Sequence, residues 1–163
     1  MALKADRYEE STDISFFYNE GTATRGGVVV LDAVNASGAA MDQGANKVKY
    51  PATVATSDVP VGVLLNDVVN KDLTRTHLNQ YKDEVQKGGK VTVLTRGWVV
   101  TDMITGDPTP GALAYVGDEG KFVVSADDAT GSGNLAVGRF MSGKDADNYA
   151  KVYVNLPNHG PLA

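Results

Sequence analysis

The chain has 163 residues, enough for one domain with a sizeable hydrophobic core. It contains no cysteine, which excludes disulfide frameworks, thiolate metal sites and cysteine nucleophiles. Its 15 Lys and Arg against 20 Asp and Glu give a formal net charge of −5, so we expect no nucleic-acid partner. No stretch approaches the roughly 18 consecutive apolar residues of a membrane-spanning helix, and we expect no membrane partner.

The first 20 residues differ in composition from the rest. Residues 8–13 are polar without a clear period, and residues 14–18 are an aromatic cluster, Ile-Ser-Phe-Phe-Tyr. Two interpretations remain open: a first strand that packs on the domain's own core, or an arm that packs on another chain, since aromatic side chains often anchor interfaces. On the second interpretation residues 1–20 are an N-terminal arm. The strand series then begins near Gly26, and residues 1–18 can be removed without unfolding the domain.

The middle of the chain alternates between strands and loops. Strand patterns occupy 28–32 after two glycines, 47–50 before a proline, and 59–69, the most apolar run, with a bend expected at Gly62. Residues 35–46 read as a surface loop. Residues 66–87 are an insertion, either a loop or a short helix near 72–86, because Leu73, His77, Leu78, Tyr81 and Val85 follow helical spacing.

The last third predicts a series of short strands separated by glycine-rich turns. The runs are rich in Val, Tyr and Phe, and they occupy 90–95, 97–101, 111–116, 121–124, 135–141 and 150–156. The predicted fold is therefore mainly β, a small β-barrel or β-sandwich with an extended N-terminal arm and at most one short helix. Its domain spans 21–157, and residues 158–163 form a C-terminal tail.

Catalytic and metal-binding patterns are missing from the sequence. His77 and His159 have no ligand neighbours at zinc-site spacing, and no Gly-x-Ser-x-Gly motif occurs. Asp145-Ala146-Asp147-Asn148 lacks the glycine and glutamate of a calcium loop and reads as a turn between the last two strands. We expect no catalytic residues, no cofactor and no metal. The single tryptophan, Trp98, is either a core anchor or an exposed interface anchor.

Residues 88–157 resemble the head decoration, or cement, proteins of tailed bacteriophages. The resemblance rests on the order of elements: Lys90–Val93 leading to Gly97–Val100, a Pro-Gly before a Tyr-containing strand, a Gly-Lys strand, Ala136–Phe140 and a final Val-rich strand. Pro60–Leu64 is similar to an earlier strand of that family. Residues 1–20 and 66–87 have no firm match.

The resemblance implies a protein on the exterior of the phage head, made in the host cytoplasm, that binds the major capsid protein and stabilises the lattice by bridging its subunits. It also implies self-association, with a trimer favoured over a dimer. The residues expected to contact the capsid or a neighbouring protomer are Tyr8, Ile14, Phe16, Phe17, Tyr18 and Trp98.

Three other functional classes compete with this interpretation. A head-completion or tail component would share the composition but form a ring or a single copy. A carbohydrate- or surface-binding β-module would need exposed aromatic side chains on one flat face. An enzyme is disfavoured because no nucleophile, metal or acid–base constellation is present.

Overall fold

The computed structural model describes residues 2–32, 46–67, 84–125 and 136–156, and within these ranges the chain is mainly β, as predicted. A single 3-10 turn, Asp118–Gly120, lies between β10 and β11. In chain order, the strands are β1 (Tyr8–Asp13), β2 (Phe17–Tyr18), β3 (Thr22–Thr24), β4 (Val28–Leu31), β5 (Lys47–Lys49), β6 (Pro60–Asp67), β7 (Glu84–Gln86), β8 (Val91–Thr101), β9 (Ile104–Thr105), β10 (Leu113–Val116), β11 (Phe122–Val123), β12 (Ala136–Phe140) and β13 (Ala150–Asn155).

The long strand β8 organises the main sheet. Its first half pairs with β6, and its second half pairs with β13. The strands then continue in two directions, through β4, β5 and β2 on one side and through β12, β10, β11 and β9 on the other. The two predicted runs at 90–95 and 97–101 are thus one continuous strand that belongs to both halves of the sheet.

Strand β1 lies along the opposite edge of β8. Leu94 is opposed by Thr12 of β1 and by Val63 of β6, and Trp98 is opposed by Tyr8 of β1 and by Tyr153 of β13. Because a strand has only two edges, β6 and β13 share one edge of β8 in succession while β1 occupies the other.

The main sheet encloses one core and carries a second on its outside. Side chains from both halves of the sheet, including Val63, Val152 and Phe140, form the first core. Val29, Leu64 and other residues that face the opposite way form the second, which the two-stranded sheet of β3 and β7 covers through Ala23 and Val85. Because both faces of β4 and β6 are buried, one against each core, their sequences are continuous apolar runs.

The two ends of the sheet do not pair among the strands that the structure describes, so the sheet is not closed into a barrel. Of the two predicted architectures, the arrangement is compatible with a sandwich. Loop contacts bring the halves together: the Glu119 N–H donates to the Pro51 carbonyl, and the Val54 N–H donates to Asp118 at 2.9 Å.

Two sequence-based expectations are wrong. The strand series does not begin near Gly26, because β1, β2 and β3 precede it. Residues 84–86, in the segment 66–87 predicted as a loop or a short helix near 72–86, form a strand paired with β3. Residues 72–83 of that segment, residues 35–45 of the predicted loop 35–46, and the tail 158–163 lie outside the described residues, as do His77 and His159.

Candidate functional site

Five side chains stand side by side on the outward face of the main sheet. Register pairs Tyr8 with Trp98, Trp98 with Tyr153, Tyr153 with Arg139 and Arg139 with Leu113, across β1, β8, β13, β12 and β10. Directly opposed residues in antiparallel strands have side chains on the same face, close enough to interact. We call these five residues the outer row.

The row faces away from the first core because of strand alternation. The residues next to it along each strand are buried in that core: Val99, Val152, Val154, Phe140 and Ala114. Successive side chains point to opposite faces of a strand, so the row residues face outward. The row follows from the period of two in β8, β10 and β13.

The outer row is accessible and rich in aromatic surface. The Tyr8 side chain is 54% exposed, Arg139 is exposed, and Trp98, Tyr153 and Leu113 are half-buried. The Lys151 ammonium lies 3.5 Å from the centroid of the Trp98 ring, within range of a cation–π interaction. Aromatic side chains that combine an apolar ring with a polar tip are typical of protein interfaces.

Cations border the row, and they differ in their partners. The Arg96 guanidinium lies 3.1 Å from Glu10 on β1 and 3.4 Å from the Tyr153 hydroxyl, and these contacts raise the pKa of Arg96. Arg139 donates one hydrogen bond, of 2.9 Å, to the Gly111 carbonyl. Across the part of the chain that the structure describes, Arg139 and Lys151 have no carboxylate within 4 Å.

A cavity of about 240 Å³ opens at one end of the outer row. Apolar groups form much of its wall, and the Arg139 side chain and Asn155 supply polar groups. Its lining comprises Leu113, Ala136, Val137, Gly138, Arg139, Tyr153 and Asn155. Three of these residues belong to the outer row, so the cavity and the row form one continuous surface.

The structure separates the six predicted contact residues. Tyr8 and Trp98 lie side by side in the outer row. Ile14 is 53% exposed just after β1, while Phe16 packs against the second core and Phe17 is half-buried in β2. Tyr18 is only 2% exposed and belongs to the protein's own second core. Tyr18 is therefore not available as a contact for another chain, because its side chain faces the protein's own core.

Sequence reasoning missed Tyr153, Arg139, Leu113 and Lys151. The signal was present in the alternation of β13, where Lys151, Tyr153 and Asn155 share the face opposite to Val152 and Val154. What the sequence did not provide was the pairing of β13 with β8, which brings Tyr153 beside Trp98.

Within the described ranges, no group of three or more His, Asp or Glu side chains is placed to hold a metal ion. No helix in those ranges is both long and apolar enough to cross a bilayer. The Asp145 loop joins β12 to β13 as a turn, as predicted: Asp145 accepts hydrogen bonds from the N–H groups of Asp147 and Tyr149.

Comparison with known protein families decides the class. The model of a family described as structural cement protein, exemplified by E217 gp24 and Pam3 gp6, matches residues 10–155. The chain belongs to this family. The match includes every described strand except the first two residues of β1, so it extends well beyond the 88–157 resemblance. No curated protein matches the chain.

Membership makes this a structural cement protein of a phage head, and it stabilises the capsid. Capsid proteins are therefore its binding partners.

Proposed function

We propose that this cement protein binds the exterior of the assembled head through its outer row and bridges neighbouring capsid subunits. The observation that carries the proposal is the alignment of Tyr8, Trp98 and Tyr153 on adjacent strands of the outward face. Trp, Tyr and Arg are the residues that most often dominate the energetics of protein interfaces. The row contains all three types within one patch.

The physical basis is apolar burial on a rigid support. A fully buried aromatic side chain buries about 150–250 Å². Tyr8 and the half-buried Trp98 and Tyr153 each keep part of that area available for docking. Because the row lies on paired strands and not on a loop, little conformational entropy is lost when it docks. The Lys151 contact with Trp98 also orients the indole ring before a partner arrives.

The exterior position is supported by charge. A protein on the inner surface of the shell would face densely packed DNA, and a chain with a net charge of −5 would be repelled by its phosphates. On the outside this repulsion is absent. An exterior cement protein also needs no chemistry, and we propose that the role is purely structural.

Bridging requires more than one contact per assembly. We propose that the protein self-associates, as a trimer in preference to a dimer, so that one oligomer presents several outer rows to several capsid subunits. Linking individually weak contacts raises overall affinity strongly, since later binding events become intramolecular. Closed cyclic symmetry suits the three-fold junctions of an icosahedral lattice. Ile14 and Phe17, which are accessible outside the row, are the proposed contacts to a neighbouring protomer.

The test is to add purified protein to undecorated heads and measure the amount retained after sedimentation. Trp98→Ala should reduce retention at least tenfold, the effect of losing one interface hot spot. Trp98 lies outside both buried cores, so the variant should fold. The matched control is Leu31→Ala, which truncates a 39% exposed side chain on β4 and should bind normally. Equal retention of Trp98→Ala and wild type would refute the outer row as the docking surface.

A further inference from the structure

We infer that the cavity at the end of the outer row receives an acidic side chain from the capsid subunit, as part of an extended segment that combines a carboxylate with apolar groups. The inference rests on the proposed function and deepens it, because it specifies the chemistry of the partner at one point of the row. It follows from the shape of the cavity, its lining and the charges at its rim.

The size of the cavity suits side chains of a polypeptide. Its volume of about 240 Å³ equals that of roughly eight water molecules. Leu113, Val137 and the Tyr153 ring supply apolar wall. An occupant must therefore offer apolar surface to this wall, which a small hydrated anion cannot do.

Arg139 supplies a positive charge in the lining of the cavity. A guanidinium carries five N–H donors in a planar fork, and Arg139 uses one nitrogen to bind the Gly111 carbonyl. Lys151 lies two residues from Tyr153 on the same face of β13 and has an aromatic partner. Neither cation has a carboxylate within 4 Å among the residues that the structure describes.

The charges near the cavity favour an acidic occupant. The chain carries five more acidic than basic side chains. Even so, Arg139 in the cavity wall and Lys151 over Trp98 have no acidic partner among the residues that the structure describes. Several surface cations elsewhere do have one: Lys4 binds Asp145 at 2.9 Å, and Lys121 binds Glu119 at 2.6 Å. A planar guanidinium matches a carboxylate with two parallel hydrogen bonds, so an Asp or Glu side chain is the fitting ligand.

Three variants of Arg139 test the inference on undecorated heads, with retention measured across a series of NaCl concentrations. Arg139→Gln should weaken binding roughly tenfold at low salt, the loss expected for one charge-assisted hydrogen bond, and should flatten the salt dependence. Arg139→Glu should weaken binding further, because like charges then face each other. Arg139→Lys should retain the salt dependence but recover only part of the affinity, since it keeps the charge and loses the fork.

Lys87→Glu is the matched control for Arg139→Glu, because it also replaces a positive charge with a negative one. Lys87 is exposed in the turn after β7, outside the outer row. It should leave binding and its salt dependence unchanged. The melting temperature of each purified variant shows whether the loss of the Arg139–Gly111 hydrogen bond has destabilised the fold. A variant that melts like wild type but binds heads weakly has lost binding alone.

Three results would overturn the inference. Arg139→Glu could bind heads like wild type, with the same salt dependence; if Trp98→Ala then still fails to bind, the docking proposal survives and only the acidic occupant is rejected. Arg139→Glu could dissociate the free oligomer in sedimentation, which would place a second copy of this chain in the cavity. Wild type could retain duplex DNA in a way that Arg139→Glu abolishes, which would make the ligand a phosphate.

Discussion

Two buried tyrosines hold the second core and give it a defined response to pH. The rings of Tyr18 and Tyr50 meet edge to face, with centroids 6.0 Å apart. The Tyr50 hydroxyl donates to the Thr24 carbonyl at 2.6 Å and accepts the Gly27 N–H at 3.1 Å. Burial raises the pKa of Tyr18 to about 12, and it raises the pKa of Tyr50 as well. Both hydroxyls therefore stay protonated in the folded protein well above pH 10.

Alkaline destabilisation follows from these shifts. Above pH 10 an unfolded tyrosine loses its proton while folded Tyr18 keeps it up to about pH 12, so the stabilisation present below pH 10 is lost as pH rises through this window. The free energy of unfolding should fall by about 1.4 kcal/mol per pH unit for each such tyrosine. Urea unfolding at several pH values should show a shallower fall for Tyr18→Phe than for wild type. An unchanged slope would contradict the assignment; Tyr8→Phe, which alters an exposed ring, is the control.

Glycine allows two pairs of neighbouring strands to approach closely. Val-Gly pairs occur in both β6 and β12, and a bend was expected at Gly62 of β6. At Gly138 a Cβ would lie only 1.8 Å from the Tyr153 carbonyl oxygen, so the residue allows β12 to approach β13 closely. Gly62 has the same relation to the Leu94 carbonyl oxygen, at 2.2 Å. The register shift between β4 and β6 lies beside Gly62, at Val29 and Val30.

At the scale of elements, the N-terminal segment is attached to the whole length of β8. Leu3 is 4% exposed and joins the first core, and the Lys4 N–H donates to the Val100 carbonyl at 2.9 Å. The Thr101 hydroxyl contacts the Ala2 carbonyl at 2.9 Å. Further along, the Val91 N–H donates to the Phe16 carbonyl. The segment is thus held at both ends of β8.

Truncation should separate two parts of this segment. Removing residues 1–13 deletes Leu3 and β1, and we expect a folded domain with lower stability, because loss of one buried leucine alone costs about 2–5 kcal/mol. Removing residues 1–18 also deletes Phe16 and Tyr18 and should prevent stable folding, contrary to the expectation from sequence. Urea unfolding measures both effects, with Leu3→Ala in the full chain as a comparison. A 1–18 truncation as stable as wild type would contradict the packing described for Tyr18.

The local sequence pattern predicted those strands whose own residues alternate or run apolar. Strands such as β6 and β13 alternate or run apolar in the sequence, and the structure confirms them. Strand β1 has the sequence YEESTD, with a single aromatic residue and no aliphatic one, and it is a strand because β8 offers it an edge. Long-range pairing of this kind has no local signal.

The candidate site shows the same limit. Trp98 was singled out as the only tryptophan and Tyr8 as part of the N-terminal segment, but their contact depends on a register between residues 90 positions apart. Arg139 and Leu113 complete the outer row only through β12 and β10. Side-chain alternation holds the information on which residues share a face, but only the sheet order shows that they are neighbours.

At the scale of the whole molecule, the fold separates stability from binding. Two cores on opposite faces of the sheet hold the domain together, and the outer row uses none of their side chains. The proposed docking surface is therefore a rigid area whose residues can be substituted without opening a core. A protein that must resist forces acting on a shell benefits from such rigidity, because binding energy is then not spent on ordering the protein.

The most direct test of the central claim is the thermal stability of undecorated heads with and without saturating cement protein. A protein that bridges capsid subunits binds the assembled lattice and not the separate subunits, and binding should raise the melting temperature of the heads by mass action. We expect wild type to raise it, with saturation at a fixed ratio to capsid subunits, and Trp98→Ala at the same concentration to leave it nearly unchanged. Wild-type protein that saturates the heads without raising their melting temperature, or binds unassembled subunits equally well, would contradict the claim.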